Sequence, residues 1–111
     1  MNWNQLKEES QLEIIKQESH QQPVMLFKHS TRCSISSTTL NRLERNWKDD
    51  EINDLKTYYL DLLSYRNLSN KIAQEFNIEH ESPQVLIIKN GKVFYDASHY
   101  DISFDEIKSH I

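Results

Sequence analysis

Val24-Met25-Leu26-Phe27 is an unbroken apolar run, the pattern of a strand buried on both faces. Upstream of it, Ser10-Gln11-Leu12-Glu13 has the Ser-x-x-Glu spacing of a capping box. With Leu12 and Ile15 on one face, it predicts a short helix running to about Ser19, after which Pro23 closes the turn. Downstream, Ile35, Leu40, Leu43 and Trp47 recur at near-helical spacing and predict one buried face of a helix over 34–47. Tyr58, Leu60 and Leu62 alternate instead, which predicts a strand over 55–62. Ser64 then stands as the cap of a helix whose inner face is Tyr65, Leu68, Ile72 and Phe76. After Ser82-Pro83, strands over 84–89 and 92–97 flank Asn90-Gly91, the dipeptide of a two-residue hairpin turn. Ser103 and Glu106 repeat the capping-box spacing and open a last helix with Phe104 and Ile107 inward. Trp3 and Leu6 suggest a short extra strand at a sheet edge.

Two strands joined through a helix pair in parallel by a right-handed crossover, whereas a hairpin adds an antiparallel pair. The predicted fold class is therefore α/β, with a central mixed β-sheet of four to five strands flanked by about four helices. A chain of 111 residues without repeat, linker or biased run fits one domain spanning 1–111.

Composition narrows the function classes. The formal charge is −4, with acids and bases interspersed, which disfavours nucleic acid or an anionic membrane as the main partner. Asp49-Asp50-Glu51 reads as a solvated turn. No stretch approaches the ~20 apolar residues of a membrane span, and Met1-Asn2-Trp3-Asn4 opens nothing like a signal peptide, so a cytoplasmic protein is expected. With Gly91 as the only glycine, a Gly-rich phosphate loop is excluded. His20, His29, His80, His99 and His110 lack metal-ligand spacing, and one cysteine offers no zinc set, so no metal site is expected.

That cysteine carries the candidate chemistry. Cys33 lies in Ser30-Thr31-Arg32-Cys33-Ser34-Ile35-Ser36-Ser37, where the apolar strand turns into the next helix. A side chain there faces unpaired backbone N–H groups and the positive end of the helix dipole, both of which favour thiolate over thiol. Arg32 beside it and His29 four residues upstream are placed to add positive potential, and Ser36, one turn on, is placed to donate its hydroxyl to the sulfur. The bland alternative is that free cysteine is commonly an inert core residue. Polar and cationic flanks argue against that alternative, since they are poor core neighbours.

A thiol at a strand-to-helix turn, followed by a proline opening a later strand before a hairpin, resembles the thioredoxin fold. Where that fold's redox motif is Cys-x-x-Cys, this chain has Cys33-Ser34-Ile35-Ser36. The stretch from Val24 to Cys33, with His29-Ser30-Thr31-Arg32-Cys33-Ser34-Ile35-Ser36 at its end, resembles the YtxJ-like monothiol bacilliredoxins of the bacillithiol redox system. The resemblance extends through Asn2-Trp3 and the Pro83 hairpin region. It implies a monothiol thiol–disulfide oxidoreductase with no bound cofactor and bacillithiol as co-substrate. Its partners would be bacillithiolated client proteins and a low-molecular-weight thiol, and it would act as a monomer. Cys33 would take up the small thiol and release the client reduced. By count alone, one cysteine cannot form an internal disulfide, so an external thiol must clear it.

The same resemblance implies a cis bond before Pro83, with Ser82 turned toward the substrate, and it makes Arg32 a partner for the malate carboxylates of bacillithiol. Family members usually carry proline directly after the cysteine. Ser34 replaces it here, loosening the turn and supplying one more possible N–H donor to the sulfur. Two other readings stand beside this one: an iron–sulfur cluster carrier of the monothiol glutaredoxin kind, and a non-catalytic thioredoxin-like binding module with a buried Cys33.

Overall fold

The computed structural model describes residues 1–52 and 54–111. Its elements in chain order are β1 (Asn4–Gln5), α1 (Ser10–Glu18), β2 (Val24–His29), α2 (Ser34–Asn46), β3 (Lys56–Asp61), α3 (Arg66–Glu75), β4 (Gln84–Lys89), β5 (Lys92–Ser98) and α4 (Phe104–Ser109). Short 3-10 turns occupy Asp49–Glu51, which is exposed as expected, and His99–Asp101.

Five strands form one mixed sheet in the order β1-β3-β2-β4-β5. β1 and β2 both run parallel to β3, and β4 runs antiparallel to β2 and β5. β2 is thus the central strand, and all six of its residues are buried. Its even positions Val24 and Leu26 join Leu12, Ile15, Leu68, Ile72 and Phe76 under α1 and α3. The odd positions Met25 and Phe27 join Leu43, Phe104 and Ile107 under α2 and α4. Alternation along one strand therefore builds two cores, one on each face of the sheet.

Most predicted elements are found, with corrections at the caps. Ser103 does accept a hydrogen bond from the Glu106 N–H at 3.2 Å. Ser10, in contrast, is the first helical residue and not the cap. Glu9 holds the cap position without a side-chain hydrogen bond, and Gln11 ties down the entering turn, its Oε1 accepting from the Lys7 and Glu8 N–H groups at 2.7 and 3.0 Å. Ser64 caps nothing either: α3 starts at Arg66 after Tyr65, and the Ser64 hydroxyl donates to Asp61 at 3.0 Å. The inner face of α2 is also rotated. Ser36, Thr39 and Leu43 are buried on it, while Ile35 is 42% exposed. Position 36 turns inward because its hydroxyl has buried partners, described below, and the face at i, i+3 and i+7 follows from that.

The hairpin turn shows how local chemistry fixes register. Asn90 and Gly91 both have positive φ, 53° and 75°, the signature of a type I′ turn that matches strand twist. The turn is tied to the end of α1, with the Asn90 N–H donating to the Ser19 carbonyl at 2.9 Å and the Gly91 N–H to the Ser19 hydroxyl at 2.8 Å. A Cβ at Gly91 would come no closer than 3.8 Å to the His20 ring, so backbone conformation and not space demands glycine. Gly91→Ala should accordingly destabilise the protein by about 1 kcal/mol. Urea unfolding monitored by far-UV circular dichroism checks this, with the denaturant slope unchanged.

Candidate active site

Cys33 ends the turn that follows β2. Its backbone is extended, at φ −102° and ψ 119°, and it occupies the N-cap position of α2. The Cys33 N–H donates to the Ser30 carbonyl at 3.1 Å, and the Ser37 N–H donates to the Cys33 carbonyl at 3.0 Å. The thiol is half-buried. A helix of 13 residues therefore begins at the sulfur-bearing residue, with its unpaired N–H groups at that end.

The turn is held from beneath by Ser36. Its hydroxyl is fully buried, lies 2.7 Å from His29 Nδ1 and accepts from the Ser30 N–H at 3.1 Å. No hydrogen bond joins Ser36 to the Cys33 sulfur among the described residues, so the contacts of Ser36 brace the turn where the sequence suggested a donor to the sulfur. His29 is buried too, with its ring 6.2 Å from Phe27 and 5.7 Å from Tyr59. Burial lowers its pKa below the usual histidine value, against the opposing pull of Asp61 and Glu44. A neutral imidazole accepting from Ser36 fits this arrangement, and it adds no positive charge at Cys33. His29 is thus a positioning residue. Arg32 and Ser34 are both exposed, Arg32 in the turn and Ser34 as the first residue of α2.

The Ser82-Pro83 peptide bond is cis, as the resemblance implied. Antiparallel pairing of Lys28 with Gln84 carries on to set Pro83 beside His29, which brings the proline to the end of the sheet where the thiol turn begins. The Pro83 carbonyl accepts from the His99 N–H at 3.1 Å, and the His99 ring lies 3.7 Å from the Glu81 carboxylate, so the 3-10 turn at 99–101 is joined to the same loop. Two polar side-chain atoms near this end, Asp61 Oδ1 and Ser82 Oγ, are buried without a hydrogen-bond partner among the described residues.

A second buried polar group went unnoticed in the sequence. Lys28 has no solvent exposure, and its Nζ lies 3.2 Å from His80 Nδ1, which the Ser69 hydroxyl also approaches at 3.2 Å. Burial lowers the Lys28 pKa from 10.5 to about 8. His80 is shifted down as well, by burial and then by the Lys28 charge, which leaves its ring neutral and able to accept. Gln84 completes the anchorage: its Oε1 accepts from the Glu81 N–H at 3.3 Å and its Nε2 donates to the Glu79 carbonyl at 3.0 Å. The loop 79–82 is therefore held by side chains rooted in β2, α3 and β4. The sequence analysis singled out the apolar run Val24–Phe27 and gave no role to Lys28 that follows it.

A family model for the monothiol bacilliredoxin BrxC matches residues 4–107. Among solved structures, a protein provisionally described as an oxidoreductase with a thioredoxin fold is 29% identical, with 96% of this chain and 90% of that chain covered and a TM-score of 0.80. Spinach chloroplast thioredoxin f is 18% identical over 96% of this chain and 87% of its own, with a TM-score of 0.68. Reduced Schistosoma mansoni thioredoxin is 21% identical over 96% of each chain, at 0.69. These two more distant likenesses establish the thioredoxin fold.

Lys28 makes stability depend on pH in a definite direction. Its folded pKa lies below that of the unfolded chain, so between about pH 8 and 10.5 the unfolded state binds more protons and stability rises with pH. The charged form costs the fold at most about 3 kcal/mol at neutral pH. Lys28→Met should remove this slope. Urea midpoints at pH 7.5 and pH 10 should show the gap between wild type and variant shifting toward wild type as pH rises, and a constant gap would contradict a buried, charged lysine.

Proposed function

The chain belongs to the monothiol bacilliredoxin family and is a thiol–disulfide oxidoreductase of thioredoxin fold, and from that premise we propose that it removes bacillithiol from protein mixed disulfides. The observation that carries the reading is Cys33 itself, a half-buried lone cysteine at the start of a long helix, with polar neighbours. Family membership favours exchange chemistry over the cluster-carrier and binding-module alternatives.

In this reading the Cys33 thiolate attacks the bacillithiol sulfur of the mixed disulfide. The bond between that sulfur and the client sulfur breaks, and a new disulfide forms between Cys33 and bacillithiol. The client leaves as a thiolate and takes a proton from solvent. No electrons are gained or lost overall, because one disulfide replaces another. Unpaired N–H groups at the start of α2 stabilise the attacking thiolate, and exposed Arg32 adds an attractive charge for an anionic substrate. Ser82 and Pro83, on either side of the cis bond, border the approach in this reading. Cys33 then waits for an external thiol, since no second cysteine exists.

Intact-protein mass spectrometry tests this. A client carrying bacillithiol should lose it while this protein gains the mass of one bacillithiol, stoichiometrically and stably until a small thiol is added. Cys33→Ser should gain nothing. Absence of any adduct on the wild-type protein would return the binding-module reading to the front.

A further inference from the structure

A cleft runs along the outer side of α2 from Ser34, the residue that follows Cys33 in the chain. It is lined by Ser34, Ile35, Thr38 and Arg42 from the helix and by Tyr100 from the 3-10 turn opposite. The two apolar members are unusually open, Ile35 at 42% and Tyr100 at 75% exposure. Neither is needed by the cores, which lie under the other faces of their elements. Arg42 closes the far end. Its Nη2 donates to the Ile102 carbonyl at 2.7 Å, which fixes the guanidinium against the Tyr100 turn, and it forms no ion pair among the described residues. A guanidinium held in place and left uncompensated, in a chain of net charge −4, is a site for an anion.

We propose that this cleft seats the small-thiol half of the mixed disulfide, with carboxylates on Arg42 and the ring of a sugar against Tyr100 and Ile35. The inference rests on the exchange reading above and adds to it the residues that choose the substrate. Ligand chemistry and spacing agree. From Ser34 to Arg42 is eight residues, about 12 Å along the helix axis at about 1.5 Å per residue. Side chains lean toward the helix N-terminus, which brings the guanidinium nearer to the sulfur. A thiol joined through a sugar to a dicarboxylic acid, as bacillithiol is, places its polar groups in that order: sulfur at Cys33, ring over Tyr100, acid at Arg42. The hydroxyls of Ser34 and Thr38 line the side that a sugar would face.

Seating the small thiol also settles which sulfur is attacked. A disulfide offers two electrophilic sulfurs, and attack at the client sulfur would tether this protein to its client instead of freeing it. Holding the small thiol in the cleft presents its sulfur to Cys33 and leaves the client sulfur as the leaving group. An unanchored small thiol loses that bias.

The test uses two unrelated client proteins, each charged either with bacillithiol or with 2-mercaptoethanol, which has a thiol but no ring or carboxylate. Rates of adduct formation on Cys33 are followed by intact mass at low salt. For wild type the bacillithiol disulfide should react faster, and Arg42→Gln should lower the ratio of the two rates about tenfold, the size of a lost charge-assisted contact. Tyr100→Ala, at a position too exposed to affect folding, should lower the same ratio severalfold. Added salt should erode the Arg42 effect and leave the Tyr100 effect in place. Slowing both disulfides equally by both variants would overturn the inference, as would a ratio that follows the identity of the client protein, because the cleft would then hold client polypeptide. A wild-type protein inert toward both disulfides would overturn the proposed exchange function itself, and the cleft's occupant with it.

Discussion

The buried hydroxyl of Ser36 ties the end of β2 to the first turn of α2, and the placement of the thiol depends on that tie. One oxygen lies within hydrogen-bond distance of the His29 ring and accepts the Ser30 N–H, so strand, turn and helix are fixed to each other through a single side chain. Each hydrogen bond is worth only about 1 kcal/mol net, but leaving its partners buried and unpaired costs about 1–3 kcal/mol apiece. The tie is therefore stronger as a constraint than as a source of stability. It also rotates α2, burying Ser36 and Thr39 and turning Ile35 outward.

Polar anchoring recurs on the other face of the sheet. Lys28 and His29 are consecutive, so their side chains point to opposite faces. His29 reaches Ser36 and sets the thiol turn; Lys28 reaches His80 and sets the loop that leads to Pro83. Two charged-type residues at the end of the central strand thus hold the two segments that meet around Cys33. Both rings are kept neutral by burial, so these contacts work by hydrogen bonding.

What the sequence revealed follows from what hydrophobic periodicity can report. β2, β4, α3 and the hairpin were legible because runs such as Val24–Phe27 and the Asn90-Gly91 pair have few alternative readings. The mixed sheet followed from their order. Cys33 was legible as a cap because the strand and helix patterns abut there. The inner face of α2 was not, since counting Ile35 as buried and Ser36 as exposed is the natural reading until the partners of Ser36 are known. Lys28 failed for the same reason: a buried charge is recognisable only through what pairs with it, here a histidine 52 residues away in sequence. Ser10 and Ser64 had suitable spacing, but Ser10 falls inside the helix after Glu9, and the Ser64 hydroxyl is taken by Asp61.

The same tie bears on why a single thiol suffices. In Cys-x-x-Cys proteins the residue three places after the nucleophile supplies the resolving sulfur. Here that residue is Ser36, with no solvent exposure and its oxygen shared between the His29 ring and the Ser30 N–H. A cysteine there would offer a larger atom that donates and accepts weakly, at a site that demands a short contact to His29 and an acceptor for Ser30. Releasing it toward Cys33 would break the contacts that hold the turn. The fold has therefore committed to structure the position that dithiol relatives commit to chemistry, and the second thiol must come from outside. An external thiol needs access to the Cys33 sulfur after the adduct forms, which the half-buried cysteine and the open side of α2 both provide. Rigidity beneath the sulfur and openness beside it are two consequences of one rotation of α2.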